Sequence, residues 1–161
     1  MMNFNIDEVF ELAEQIEVNG ARFYRTAAQG VSAFGHKKML TELAEMEDQH
    51  KKTFASMREK VKKSTTNLNF DPDHEAAQYL QAFASGFVFD TTRDPVDLLK
   101  GNESIAQILN MAIGFEKDSI VFYLGLEKVL LDEAEIQHIR SIIKEEMGHI
   151  TLLSRKLDEL D

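Results

Sequence analysis

The chain has no cysteine among its 161 residues. Disulfide frameworks, thiolate metal sites and cysteine nucleophiles are therefore excluded. Basic residues are scarce: 18 lysines and arginines stand against 28 aspartates and glutamates, a formal net charge of -10. That balance argues against nucleic acid or an anionic membrane surface as the main partner. No apolar run approaches the ~20 residues of a membrane span. The opening MMNFNIDEVFELA has neither the basic nor the apolar region of a secretory signal. A soluble, cytoplasmic protein is expected. The length suits a single domain, 1–161, able to bury a core without staples. Proline is the last scarcity: only Pro72 and Pro95 occur, both between residues 64 and 103. They separate two long proline-free blocks.

Within the blocks, apolar residues recur in steps of four and three. The first block carries Ile6, Phe10, Ala13, Glu17, Gly20, Tyr24, Ala27 and Val31, then His36, Leu40, Leu43, Glu47, His50, Phe54, Met57 and Val61. The second carries Ile105, Leu109, Ala112, Glu116, Ser119, Tyr123, Leu126 and Leu130, then Ile139, Ile142, Glu146, His149 and Leu153. Each is the seam of an amphipathic helix facing helical neighbours. Asn5 with Glu8, Ser104 with Gln107, and Asp132 with Glu135 read as helix starts, and Gly30 and Gly35 as the turn between the first two helices. The expected fold is all-α: hairpin 1 over about 5–63, a crossover over about 64–103 with a short extra helix in HEAAQYLQAFASGFVF, and hairpin 2 over about 104–160. A ~26-residue helix is roughly 39 Å long. A link of this length can run along the bundle and start the third helix parallel to the second, as in ferritin-like four-helix bundles with one long crossover.

Each seam has a glutamate near its middle: Glu17, Glu47, Glu116 and Glu146. The second and fourth seams add a histidine three residues on, His50 and His149. Glu17 to Glu47 is thirty residues, as is Glu116 to Glu146, and Tyr24 and Tyr123 each follow their glutamate by seven. The chain thus holds two copies of one helical hairpin, offset by 99 residues. Packed about a pseudo-twofold axis, they bring all six residues to one level of the core. An unpaired carboxylate in an apolar interior costs several kcal/mol, and four together cannot all stay ionised without compensation. The seams supply no lysine or arginine. Two divalent cations would balance four carboxylates, with neutral imidazoles completing the coordination. An i, i+3 pair puts glutamate and histidine on one helix face. One glutamate from each of two helices plus Glu-x-x-His from each of the other two is the ligand set of di-iron and di-manganese carboxylate bundles. Oxygen-rich ligands with one imidazole per ion suit iron or manganese, with zinc as a further occupant.

On Glu17…Tyr24, Glu47-x-x-His50, Glu116…Tyr123 and Glu146-x-x-His149 the chain resembles the rubrerythrin-like branch of the ferritin-like di-iron superfamily, over nearly its whole length. The resemblance implies a di-iron centre acting on peroxide or dioxygen, with ferrous iron oxidised. It also implies Glu47 and Glu146 as bridging ligands, Glu17 and Glu116 as terminal ligands, and His50 and His149 one to each ion. Two departures stand out. Without cysteine the chain cannot contain a rubredoxin domain, so an external electron donor is implied. The extra glutamate that such proteins place one turn after the third-helix ligand is replaced by Ser119. Alternatives of another kind are an iron-storage or ferroxidase subunit, and a bundle whose metals are purely structural. A homodimer is expected by analogy alone.

Several residues carry two readings. Tyr24 and Tyr123 either bond the ligand carboxylates and serve as tentative catalytic groups, or are core aromatics with any acceptor. Gly20 and Ser119 either leave room for an oxidant or allow close helix approach. Glu14, off the seam, is read as an exposed glutamate rather than an extra ligand. His36 is expected at a helix end, and His74 and His138 at the surface. Met39, Met46, Met57 and Met111 are expected to fill gaps between helices.

Overall fold

The computed structural model describes residues 6–63, 75–84 and 94–160. Among these residues five α-helices form, α1 Ile6–Gly30, α2 Phe34–Lys63, α3 Glu75–Ala84, α4 Ile105–Val129 and α5 Glu133–Asp158, with one 3-10 turn at Pro95–Leu98 and no strand. The four long helices coincide with the four seams, because a stripe of apolar side chains at helical spacing is stable only when buried against its neighbours. Helices α1 and α2 pack along one another, as do α4 and α5. The two hairpins then meet through α1 against α4 and α2 against α5.

The helix starts follow local chemistry. Ser104 and Gln107 form a reciprocal capping box at the head of α4. At α5 only half of that arrangement is made: Asp132 accepts from the Glu135 amide at 3.0 Å, while the Glu135 carboxylate reaches across to Lys60 Nζ at 3.1 Å. The proposed start at Asn5 lies outside the described residues, as do residues 85–90 of the extra helix and His74. Gly35 departs from expectation. It falls within the first turn of α2, and residues 31–33 make the connection. Gly101 is the glycine with positive φ among the described residues, so neither Gly30 nor Gly35 provides a left-handed turn.

Two apolar clusters fill the bundle. One gathers Phe10, Phe54, Met57, Tyr123, Leu126 and Ile139, and the other Phe23, Leu40, Leu43, Leu109, Ala112 and Leu153. The start of α4 shares a cluster with the start of α2, so these two helices run parallel and the crossover spans the bundle's length. The described parts of the crossover lie against α1 and α4. Helix α3 packs on α4 and α1, and the 3-10 turn packs on α1. Gly125 permits this: a Cβ there would stand 2.4 Å from the Tyr79 ring, whose hydroxyl donates to the Val121 carbonyl at 2.6 Å. Of the expected gap fillers, Met39 and Met57 are buried, but Met46 is 37% exposed; it faces away from the core on α2. His138 is exposed, as expected.

Candidate metal centre

Between the two apolar clusters the core contains a polar layer. Glu17, Glu47, His50, Glu116, Glu146 and His149 are all buried there, Glu146 completely. Their seam positions make this inevitable once the helices pack. The ligand-type atoms fall into two groups, Glu17, Glu47, His50 and Glu146, and Glu47, Glu116, Glu146 and His149, with the atoms of each group within 4.8 Å of one another. Glu47 and Glu146 belong to both. Nδ1 of His50 lies 3.0 Å from Glu146 Oε1 and 3.5 Å from Glu17 Oε2. Nδ1 of His149 lies 2.8 Å from Glu146 Oε2, 3.4 Å from Glu116 and 3.5 Å from Glu47. The two rings stack with centroids 5.9 Å apart.

These atoms converge without satisfying one another. Glu17 Oε2, Glu47 Oε1, both oxygens of Glu146 and both Nδ1 atoms are buried with no hydrogen-bond partner. Buried polar groups are normally paired, and each exception demands a reason. Five side chains aiming unpaired oxygen and nitrogen atoms at two shared points, with Glu116 beside them, is the pattern of cation ligands, and the donor set fits two divalent metals. Without metal the layer holds protons instead. Burial pushes Glu17 and Glu47 well above the usual carboxylate range, and Glu116 up to about 7. Burial also opposes the charge on Glu146, but the imidazoles of His149 and His50 close beside it outweigh burial and hold Glu146 at about 2. Burial works against charged imidazole too, yet the adjoining glutamates raise His50 to about 9 and His149 to about 10.

The tyrosines complete the layer crosswise. Tyr24 on α1 donates to Glu116 Oε1 on α4, and Tyr123 on α4 donates to Glu17 Oε1 on α1. The exchange shows α1 and α4 antiparallel, and it relates the hairpins by a pseudo-twofold. Burial raises both phenol pKa values further above normal, so both stay protonated donors. With this geometry the sequence comparison is decisive: the family model for rubrerythrin matches residues 8–157. The chain belongs to the rubrerythrin family. No curated protein matches it significantly in sequence. Among solved structures it is similar to a candidate ferritin-like diiron-carboxylate protein from Thermotoga maritima, with TM-score 0.72 and 24% identity over 98% of this chain and 97% of that one. At that identity the likeness shows the ferritin-like fold. Rubrerythrin-family membership and the buried carboxylate–histidine layer together point to a di-iron site.

A narrow cleft, about 20 Å³, reaches this rubrerythrin-family centre between α1 and α4. That is room for one molecule the size of water. Gly20, Ser119, Tyr24, Glu47 and Glu116 line it, together with Pro95 of the 3-10 turn. Arg22 holds the turn in place through Asp94, 2.5 Å away, while Asp94 also caps the turn at the Val96 amide. Ser119 turns its hydroxyl to the Phe115 carbonyl, and offers the cluster no carboxylate. Glu14 is drawn away from the centre by Arg58, 3.4 Å distant, which also binds Asp7 and Glu11.

Sequence reasoning missed Glu145, whose Oε2 lies 3.0 Å from Nε2 of His50. It also missed the Asp94–Arg22 clamp. Neither lies on a seam, so neither shows in the apolar period.

Proposed function

We propose that this rubrerythrin-family protein is a di-iron oxidoreductase that reduces a small oxidant, peroxide or dioxygen. Glu47 and Glu146, common to both ligand groups, would be shared by the two metals, with Glu17 and His50 holding one and Glu116 and His149 the other. The observation that carries this reading is the set of unpaired buried oxygen and nitrogen atoms converging on two shared points. Two ferrous ions held there would supply the two electrons that, with two protons, reduce one peroxide to two waters. The chain's own groups do the rest. Two apolar clusters exclude bulk water from above and below the layer. The cleft beside Gly20 admits only a small molecule. Tyr24 and Tyr123 hold protons at Glu116 Oε1 and Glu17 Oε1, orienting the terminal carboxylates. Electrons to restore the ferrous state come from a donor outside the chain.

The test is an anaerobic ferrous titration of metal-free protein, followed by exposure of the loaded protein to peroxide or dioxygen. Two equivalents per chain are expected, lost in Glu47→Ala and Glu146→Ala variants that still fold, with oxidation of both irons by the oxidant. An intact fold that binds no iron, or bound iron inert to both oxidants, would sink the reading.

A further inference from the structure

The pseudo-twofold equates each residue of the layer with one 99 positions further on, and the residues just behind the layer break that symmetry. Nδ1 of His50 faces the carboxylates, and its opposite nitrogen, Nε2, meets Glu145 Oε2 at 3.0 Å. Glu145 comes from α5 and His50 from α2, so the ring is held from a neighbouring helix. The residue matching Glu145 in the first hairpin is Met46, which has no carboxylate to offer. His149 is correspondingly unsupported: its Nδ1 faces Glu116 and Glu146, and its Nε2 is buried with no hydrogen-bond partner.

That difference has a chemical consequence. A carboxylate behind a histidine fixes the N–H on the far nitrogen, leaves the near lone pair free for a cation, and strengthens it as a donor. Loss of such a partner typically costs about 10- to 100-fold in metal affinity. Glu145 is 46% exposed, so solvent screening places its effect near the lower end of that range.

We propose that Glu145 is a positioning residue that makes the two halves of the centre unequal. The Glu17–His50 half takes its divalent cation first and more tightly, and the Glu116–His149 half fills second. This rests on the dinuclear reading above.

The test follows the histidine side-chain nitrogens by NMR in the ¹⁵N-histidine-labelled full chain while Zn²⁺ is added. Only 5 histidines are present, so the signals are separable. In the unmodified protein, His50 Nδ1 is expected to shift over the first equivalent and His149 Nδ1 over the second. Glu145→Met should weaken the first step at least about tenfold and merge the two. Met46→Glu, which gives His149 the matching carboxylate, should tighten the second step, a gain that a purely structural role for Glu145 would not produce. Two histidines shifting together in the unmodified protein, or an unchanged order in Glu145→Met, overturns the proposal while leaving the dinuclear centre standing. No shift at either histidine overturns both.

Discussion

Tyr123, on the third long helix, donates its hydroxyl hydrogen to Oε1 of Glu17, a residue 106 positions earlier on the first. Both side chains are buried, so water cannot replace the bond. Tyr123→Phe leaves that oxygen without its donor and should destabilise the metal-free protein by about 1–3 kcal/mol. Chemical denaturation measures this directly. Tyr24→Phe should behave alike through Glu116. A change within a few tenths of a kcal/mol in both variants would mean that the hydroxyls are incidental.

Stability of the metal-free protein should fall as pH rises. Glu116 is raised from an ordinary 4.5 to about 7, with Glu17 and Glu47 also raised by burial. The folded state therefore holds protons that the unfolded chain releases from about pH 4.5 upward. His50 and His149, raised from 6.5 to about 9 and about 10, have the same sign: their contribution is complete below 6.5 and lost as pH climbs through those values. Glu146, lowered to about 2, acts oppositely but only below 4.5. Calorimetry from pH 5 to 9 should show a declining melting temperature without metal. With metal bound the decline should vanish, because cations replace the protons. A metal-free melting temperature that climbs over this range would contradict the assignment.

Gly20 should separate stability from reactivity. A Cβ there would meet Glu47 at 3.4 Å, an ordinary contact. Gly20→Ala should therefore gain up to about 1 kcal/mol from helix propensity. It also narrows the cleft, so the reduced protein should react more slowly with peroxide while still binding two irons. Stopped-flow oxidation of the ferrous form reads the rate. Unchanged kinetics in both Gly20→Ala and Gly20→Val would assign the oxidant a different entrance.

Gly125 marks where α3 rests on α4. A Cβ 2.4 Å from Tyr79 must push the ring away and break its bond to Val121. Gly125→Ala should cost about 1–3 kcal/mol through overpacking, with metal stoichiometry preserved. Thermal melting and ferrous titration of one sample check both halves.

How far the sequence carries depends on whether a residue stands on a seam. Glu47, His50, Glu146 and His149 are legible because they interrupt stripes that are otherwise apolar, and burial makes such interruptions costly. The repeat then sets them level with Glu17 and Glu116. The parallel course of α2 and α4 follows from the length of the crossover. Glu145 is different: it lies one residue off its seam, and its contact with His50 depends on how far α5 is rotated against α2. The same holds for Arg22 and Asp94, which meet only after the crossover has settled on α1. Gly35 shows a further limit, since a glycine read as a turn proved helical. Local signals cannot say which of two nearby glycines ends the connection.

The division of the apolar core by a polar layer bears on how the fold can change. The layer occupies the middle of the bundle, where leucine would pack best, so the molecule holds its site against the interest of its own rigidity. Replacing the six residues with apolar side chains of matching volume should give a metal-free bundle more stable than the parent, since buried charge is often bettered by packed hydrocarbon. Such a protein would keep the architecture and lose the chemistry, a trade-off between stability and activity located in a single slice of four helices.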